Sequence, residues 1–416
     1  MYDVIVVGAG AAGLFASATA GARGLGVLLY ERNGRVGKKL RITGKGRCNL
    51  TNNCRAEEVL ENITSGGRFL RSALCGFTPG DTMEAFESFG VPLKTERGGR
   101  VFPASDRAED VADALLRRAL DCGVELRRGR VTDVEVSGGA VSEVVAGDVR
   151  ERCRAVILCT GGMSYPGTGS TGDGYDIARR LGHTVSPLRP SLVPLTARGG
   201  VCAELSGLTL RNVRLRVYGG NGGGKKPQFD GFGELLFTHF GISGPLSLSA
   251  SALMRERGAA GYRAVIDLKP ALDEDVLDAR IVRDFRKFSN KNFSNALCDL
   301  VPGRLAPVIV GLSGIPPDAK AHSVTREQRA ALRGLLKRFT LEITGARPIE
   351  EAVVTAGGVS PREIDPKTMR SKLVRGLHFA GEIIDADAYT GGFNLQIAWS
   401  TAYAAGRYAL TGEREV

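Results

Sequence analysis

The chain has 416 residues, enough for two or three domains at about 150 residues each. Lys and Arg total 56 against 45 Asp and Glu, a formal charge of +11; with 43% hydrophobic and 24% charged residues the balance is globular and excludes a disordered chain. Its 56 glycines follow no G-x-y period, which excludes a collagen-like fibre. The eight cysteines, at 48, 54, 75, 122, 153, 159, 202 and 298, contain no C-x-x-C pair and are not spaced as a disulfide framework. No metal site is expected from them, and they point to a reducing, cytoplasmic compartment.

The apolar N-terminus lacks the basic start of a signal peptide and scans as strand, glycine turn and helix. Residues 3–7 (DVIVV) read as a buried strand, 8–13 (GAGAAG) as the turn, 14–24 as a small-residue helix and 26–30 (GVLLY) as a second strand ended by Glu31. This is the βαβ opening of a dinucleotide fold. Residues 34–52 are basic and glycine-rich, lack a helical period and read as an ordered loop. A helix follows over 77–90 with Pro79 in its first turn, then a hairpin over 91–103 turning at Gly98-Gly99. A helix over 106–122 has Asp106 and Glu109 at capping-box spacing. Strands are predicted at 124–127, 131–136, 140–145 and 155–159, the last leading into Thr160-Gly161-Gly162, and a helix near 173–181.

The prolines at 187, 190 and 194 predict a linker. Beyond it, strands are expected at 208–218, 233–240 and 262–268, with a glycine tip at 219–224, and helices within 274–300 and at 326–338. The domain reading is therefore 1–190, an insert over 191–354 with a helical part at about 272–325, and 355–416 returning to the first domain through a strand at 377–380 and a helix near 395–410. No further run of about 18 apolar residues predicts a membrane span.

The fingerprint Gly8-x-Gly10-x-x-Gly13 has strand before it, helix after it and an acid at the end of the next strand. Gly8 permits the turn, Gly10 admits a pyrophosphate, Gly13 allows helix–strand packing, and Glu31 accepts from a ribose hydroxyl. A single fingerprint followed by two later strand–glycine turns suits FAD extended over one domain. No separate nicotinamide module is visible.

The stretches GAGAAGLFAS, GRVGKKLRITGKGRCNLTN, CTGGMSYPGTGSTGDGY, FTHFGISGP, VTAGGVSPREID and GLHFAGEIIDADAYTGGFNLQIAWSTAYAAG together resemble a widespread bacterial FAD-dependent oxidoreductase family. Aminoacetone-oxidase-like proteins, bile-acid dehydro-reductases and rRNA dihydrouridine synthases belong to it. The resemblance spans nearly the whole chain. It implies an α/β, GR2-like Rossmann FAD domain, discontinuous, interrupted by a β-barrel with a small helical subdomain. It implies that Gly8, Gly10, Gly13, Glu31 and Arg32 hold the ADP half of FAD and that Val131 flanks the adenine. Lys39, Gly44, Gly46, Arg47, Cys48 and Asn49 would lie near pyrophosphate and flavin, with Thr160, Gly161 and Gly162 beside the cofactor. Glu382 and Asp385 would approach the ribityl–pyrophosphate region. Gly391, Gly392, Phe393, Asn394, Leu395 and Gln396 would wrap the flavin end, where the last helix start stabilises negative charge.

For an activated C=C acceptor the chain must supply a proton as hydride arrives. Cys48 is the first candidate acid; its neighbours Lys45 and Arg47 should lower its pKa, which conflicts with proton donation. The competing reading is a thiol that merely packs against the cofactor. Tyr165, Tyr389 and His239 are the rivals, and the other cysteines read as buried small residues. Arg211, Arg214, Arg216, Lys225 and Lys226, a helical stripe of Arg280, Arg283, Arg286, Lys287 and Lys291, and the group Lys367, Arg370, Lys372 and Arg375 could neutralise RNA phosphates or be an ordinary solvated surface. The most specific expectation is NAD(P)H-driven reduction of uridine to dihydrouridine in 23S rRNA. A small-molecule enone reductase or amine oxidase is the alternative, and a non-catalytic flavin-containing RNA-binding or assembly protein is a third reading.

Overall fold

The computed structural model describes residues 1–219, 226–254 and 261–411. Most of the expected glycine tip, and Lys225, lie outside the described residues. The chain divides into two compact units, Met1–Ser191 with Pro348–Val416, and Leu192–Arg347.

The first unit is built on a seven-stranded sheet. Its parallel core runs Glu125–Arg128, Val27–Glu31, Tyr2–Val7, Val149–Leu158 and Leu377–Phe379. Val4, Ile5, Val6, Leu28 and Leu29 are fully buried, as expected of parallel strands covered on both faces. The strand expected at 155–159 is longer, because Val149–Arg152 turns out to pair antiparallel with the hairpin Asp133–Ser137/Ala140–Ala146. The first helix, Ala11–Gly21, and the terminal helix, Phe393–Tyr408, cover the sheet. They approach backbone to backbone: a Cβ on Gly406 would lie 2.5 Å from Ala16 O.

Local capping follows the sequence in one place and departs from it in another. Thr78 forms a capping box with Asp81 and Pro79 starts the helix Pro79–Ser88. The helix Ala108–Asp121 has Arg107 at its N-cap with no side-chain cap, so the expected Asp106/Glu109 box does not form. Both carboxylates go instead to cations brought in by folding: Asp106 to Arg47 and Lys94, and Glu109 to Arg35 and Arg41. The expected loop at 34–52 contains the helix Lys38–Gly46, broken by non-helical Thr43, Gly44 and Lys45. Five regular residues are too few to show a period, and Leu40 and Arg41 are buried by tertiary contacts. The helices Ala56–Glu61 and Gly67–Gly76 lay between the segments that patterning picked out. The proline-rich segment is not free linker: Arg189–Ser191 pairs with Val354–Ala356 inside the first unit.

The second unit contains a closed barrel of Leu195–Ala197, Gly241–Ser243, Phe229–Thr238, Thr209–Tyr218, Tyr262–Asp267 and Phe339–Ala346. In Thr209–Tyr218, Leu210, Val213, Leu215 and Val217 are buried, and a register shift lies between Leu210 and Val213. Arg214 and Arg216 share a face and both reach Asp230. Helices Glu274–Lys287, Ala306–Ser313 and Arg326–Lys337 add Leu277, Ile281, Ile309, Leu332 and Leu336 to the core.

His378, on the strand Leu377–Phe379, is fully buried, with Nδ1 3.2 Å from Thr368 O and Nε2 without a partner. Burial, aided by Arg370 and Arg23 and opposed by the Thr368 carbonyl, holds its pKa down to about 4. The folded value lies below the ordinary histidine value near 6.5, so the stabilisation is complete above that pH and is lost as pH falls toward 4, by up to about 3 kcal/mol. Denaturant unfolding near neutrality and near pH 4.5 should show a smaller acid loss in His378→Gln than in wild type. Equal losses would remove His378 from the acid response.

Candidate functional site

The site starts where the first strand turns into the first helix. Gly8 has φ +98°, and a Cβ there would lie 2.7 Å from Cys159 O. A Cβ on Gly13 would lie 1.7 Å from Gly8 O, so no side chain fits between helix and turn. A Cβ on Gly10 would meet nothing within 4 Å. The helix therefore begins against open space, with first-turn N–H groups that have no intrahelical acceptor.

Glu31 is buried and braces this turn. One carboxylate oxygen accepts from Ala9 N (2.9 Å), the other from Asn33 N (2.8 Å) and Asn33 Nδ2 (2.7 Å). These three bonds leave room for one more donor. Arg32 turns away to Thr171 and Asp173, and Arg130 shares that aspartate. Val131 is buried beyond the neighbouring strand end.

A second strand end supplies Thr160, whose hydroxyl oxygen is buried without a partner. A Cβ on Gly162 would lie 2.3 Å from Thr355 Oγ1, and Gly161 has φ +71°. Lys39 Nζ donates to Glu382 (2.7 and 3.0 Å) and to Ser164 Oγ (2.6 Å). Glu382 also accepts from Thr355 N (2.8 Å) and Ser164 Oγ (3.0 Å), and Thr355 Oγ1 accepts from Met163 N and Ser164 N. Ser164, Thr355 and Asn33 were not singled out from the sequence. Ser164 and Thr355 each lie two residues from a glycine pair, Gly161-Gly162 and Gly357-Gly358, which is the signal that could have found them. The Asp385 carboxylate is half-buried and has no hydrogen-bond partner among the described residues.

The terminal helix begins at a tight glycine turn, where a Cβ on Gly392 would lie 2.4 Å from Thr51 O. Asn52 Nδ2 donates to Gly391 O (3.0 Å). With its amide oriented to satisfy both neighbours, Asn49 donates to Thr51 O (3.1 Å) and accepts from Gly392 N (3.0 Å). Asn394 spends its side chain on the backbone of Ala388 and Tyr389. Phe393 is buried and Leu395 packs on the core. Gln396 does not face a cofactor: it is fully buried and satisfied by Thr51, Thr82, Ser400 and Phe77 O.

The acid candidates separate clearly. Cys48 is 0% exposed and its thiol is pushed up to about 12 by burial, against a weaker opposing bond to Thr43. The expected lowering by cationic neighbours fails because Arg47 is spent on Glu96 and Asp106 and lies 4.1 Å over the Phe102 ring. Cys48 is a packed core residue in an unusual backbone: it, Gly44, Lys45 and Gly46 all have positive φ. Tyr165 is exposed in a left-handed turn. Tyr389 is half-buried, its pKa is raised by burial and then by Asp387, and its phenol makes no hydrogen bond among the described residues. His239 belongs to the second unit and is exposed, edge-on to Phe240 at 4.9 Å.

The basic groups are less free than the sequence suggests. Arg280 and Arg283 reach Asp284, and Lys287 reaches Asp299. Arg370, Lys372 and Arg375 donate to the backbone carbonyls of Thr411, Arg362 and Gly138. Arg286 forms no ion pair among the described residues, and Lys291 lies over Phe288.

The open space at Gly10 and the spare acceptor site on Glu31 fit an adenine–flavin dinucleotide along the carboxyl ends of the parallel strands. The fold and this cradle define an FAD-dependent oxidoreductase. Residues 2–408 match a family model described as "HI0933-like protein Rossmann domain", and the chain belongs to that family of bacterial FAD-binding oxidoreductases. Among its relatives is the "Ribosomal RNA dihydrouridine synthase" of Escherichia coli K12, 32% identical over 97% of this chain and 96% of the relative. The "3-dehydro-bile acid delta(4,6)-reductase" of Clostridium scindens is also 32% identical, over 98% of this chain and 99% of the relative. A solved 3-ketosteroid delta1-dehydrogenase from Sterolibacterium denitrificans shares the fold, with TM-score 0.51 and 14% identity over 98% of this chain and 99% of that one. No described helix is long and apolar enough to cross a membrane.

Two substitutions test the cradle. Gly13→Ala should lower the melting temperature of the flavin-free protein and abolish FAD retention, because its Cβ strikes Gly8 O. Gly10→Ala should leave that melting temperature unchanged and weaken FAD binding by about tenfold or more, by intruding where phosphates approach. Flavin fluorescence titration and thermal melts check both, and the reverse ranking overturns the assignment. Separately, Cys48 in the folded protein should resist iodoacetamide at pH 8 and become reactive on unfolding; rapid native labelling, read by mass spectrometry, would contradict a buried thiol.

Proposed function

We propose that the chain reduces a carbon–carbon double bond conjugated to a carbonyl. Gly8, Gly10, Gly13 and Glu31 would hold the adenosine and phosphate half of FAD. Thr160, the loop braced by Lys39 and Glu382, Asp385 and the N-terminus of the last helix would hold the flavin half. Bound FAD supplies two-electron hydride chemistry, and NAD(P)H is the reductant class that recharges it.

The observation that carries this reading is Tyr389. Its phenol stays protonated at neutral pH, is half-buried and is unspent by the fold. Asn394 fixes the backbone on which it sits. It is therefore suited to hold a proton at its hydroxyl and give it to the carbon beside the acceptor carbonyl. Both 32%-identical relatives are named for chemistry on a double bond conjugated to a carbonyl, in a uracil ring or a steroid nucleus. A small conjugated ketone is the acceptor class proposed first. Uridine in rRNA is the second reading, favoured by the +11 charge and by the curated relatives named for it.

Anaerobic stopped-flow should show flavin bleaching by NADH or NADPH, and recovery on adding a conjugated enone. Tyr389→Phe should leave bleaching unchanged and slow recovery by about a hundredfold. No bleaching by either nucleotide removes this electron source, and unchanged recovery in the variant removes Tyr389 as the acid. Recovery with unmodified rRNA and not with enones would select the second reading.

A further inference from the structure

A second recess, of about 390 Å³, lies on the outer face of the first helix, and none of its lining residues belongs to the cofactor cradle. Phe15 and Ala18 of that helix line it with Phe77 and Ala85. Phe15 meets Phe77 edge to face at 5.2 Å, and Phe77 stacks on Tyr403 at 4.6 Å and 24°. Phe89 and Tyr403 complete an aromatic lining.

Three arginines converge on this apolar surface. Arg118 lies 5.7 Å over the Phe89 ring, and Arg407 lies 5.7 Å over Tyr403 while donating to its hydroxyl at 3.0 Å. Arg23 donates to Gly406 O and Ala409 O, each at 2.8 Å, and so holds the end of the terminal helix. No carboxylate lines the recess. Among the described residues, Arg23, Arg118 and Arg407 form no ion pair. Guanidinium groups held against aromatic rings keep donors free for a planar anion.

We propose that this recess binds a small organic anion with an apolar body, an alkyl or aryl carboxylate. Its body lies on Phe15, Phe77 and Phe89, and its carboxylate faces Arg118 and Arg407, with Arg23 adding positive field. The volume is that of a small-molecule site, and an apolar surface with a few convergent polar groups is the usual form of one. Arginine pairs with carboxylates through two parallel bonds, which distinguishes the acid from its alcohol. The assignment does not depend on the reaction proposed above.

The test is calorimetric titration of the FAD-loaded full chain with decanoate and with decanol. Trp399 fluorescence gives an independent signal, since its ring lies 5.7 Å from Phe15. Decanoate should saturate a single site, and decanol should bind about tenfold more weakly. Arg118→Ala and Arg407→Ala should each weaken decanoate by about tenfold and leave decanol unchanged. Both side chains are exposed, and the flavin spectrum and melting temperature verify folding. Raising salt makes the same discrimination without substitution, since it should weaken decanoate alone. Non-saturating decanoate, equal affinity for acid and alcohol, or binding only of a Glu-rich peptide would overturn the proposal.

Discussion

The approach of the first helix to the first strand is the constraint on which the cofactor cradle depends. Gly13 sits so close to Gly8 O that a methyl group would occupy the same space. That contact sets where the helix begins and aims its first N–H groups beyond the strand ends. Glu31 reinforces it by accepting from Ala9 N within the turn. The space off Gly10 stays open, with no atom within 4 Å of a Cβ placed there.

The hydrogen-bonded group beside that turn is assembled from segments far apart in sequence. Lys39, Ser164, Thr355 and Glu382 come from four separate stretches and meet in one hydrogen-bonded group. A partly buried charge pair is tolerable only when its remaining hydrogen-bond capacity is filled. Here Ser164 and the Thr355 backbone fill it. The glycine loop at 160–162 is held by the same group, since Gly162 leaves no room for a side chain beside Thr355.

Charge and burial redistribute the chemistry that composition suggests. Most arginines that look available in the sequence are consumed by carboxylates or backbone carbonyls. Arg47 is the clearest case: paired to Glu96 and Asp106, it cannot activate Cys48, and the thiol is held neutral by its burial. A half-buried phenol on a loop fixed by Asn394 is better placed to carry a proton than a thiol in the core. Arg118 and Arg407 instead lie over the rings of Phe89 and Tyr403 at the mouth of an aromatic recess.

Much of the first unit was legible locally. A continuous β-branched run and glycine spacing located the opening strand, turn and helix, and the acid at residue 31. Thr78 and Pro79 marked a helix start because a cap acts over a few residues. Asp106 and Glu109 carried the same kind of mark without effect, because cations supplied by other segments captured both. The short helix within 34–52, the interior role of Gln396 and the inertness of Cys48 were not legible, since each depends on partners hundreds of residues away or on burial from all sides. By itself the sequence determined the dinucleotide turn, since steric exclusion at Gly8 and Gly13 and the strand pattern are local properties. Tertiary structure alone decided which charges stay free and which acids keep their protons, because pairing and desolvation exist only once distant segments meet.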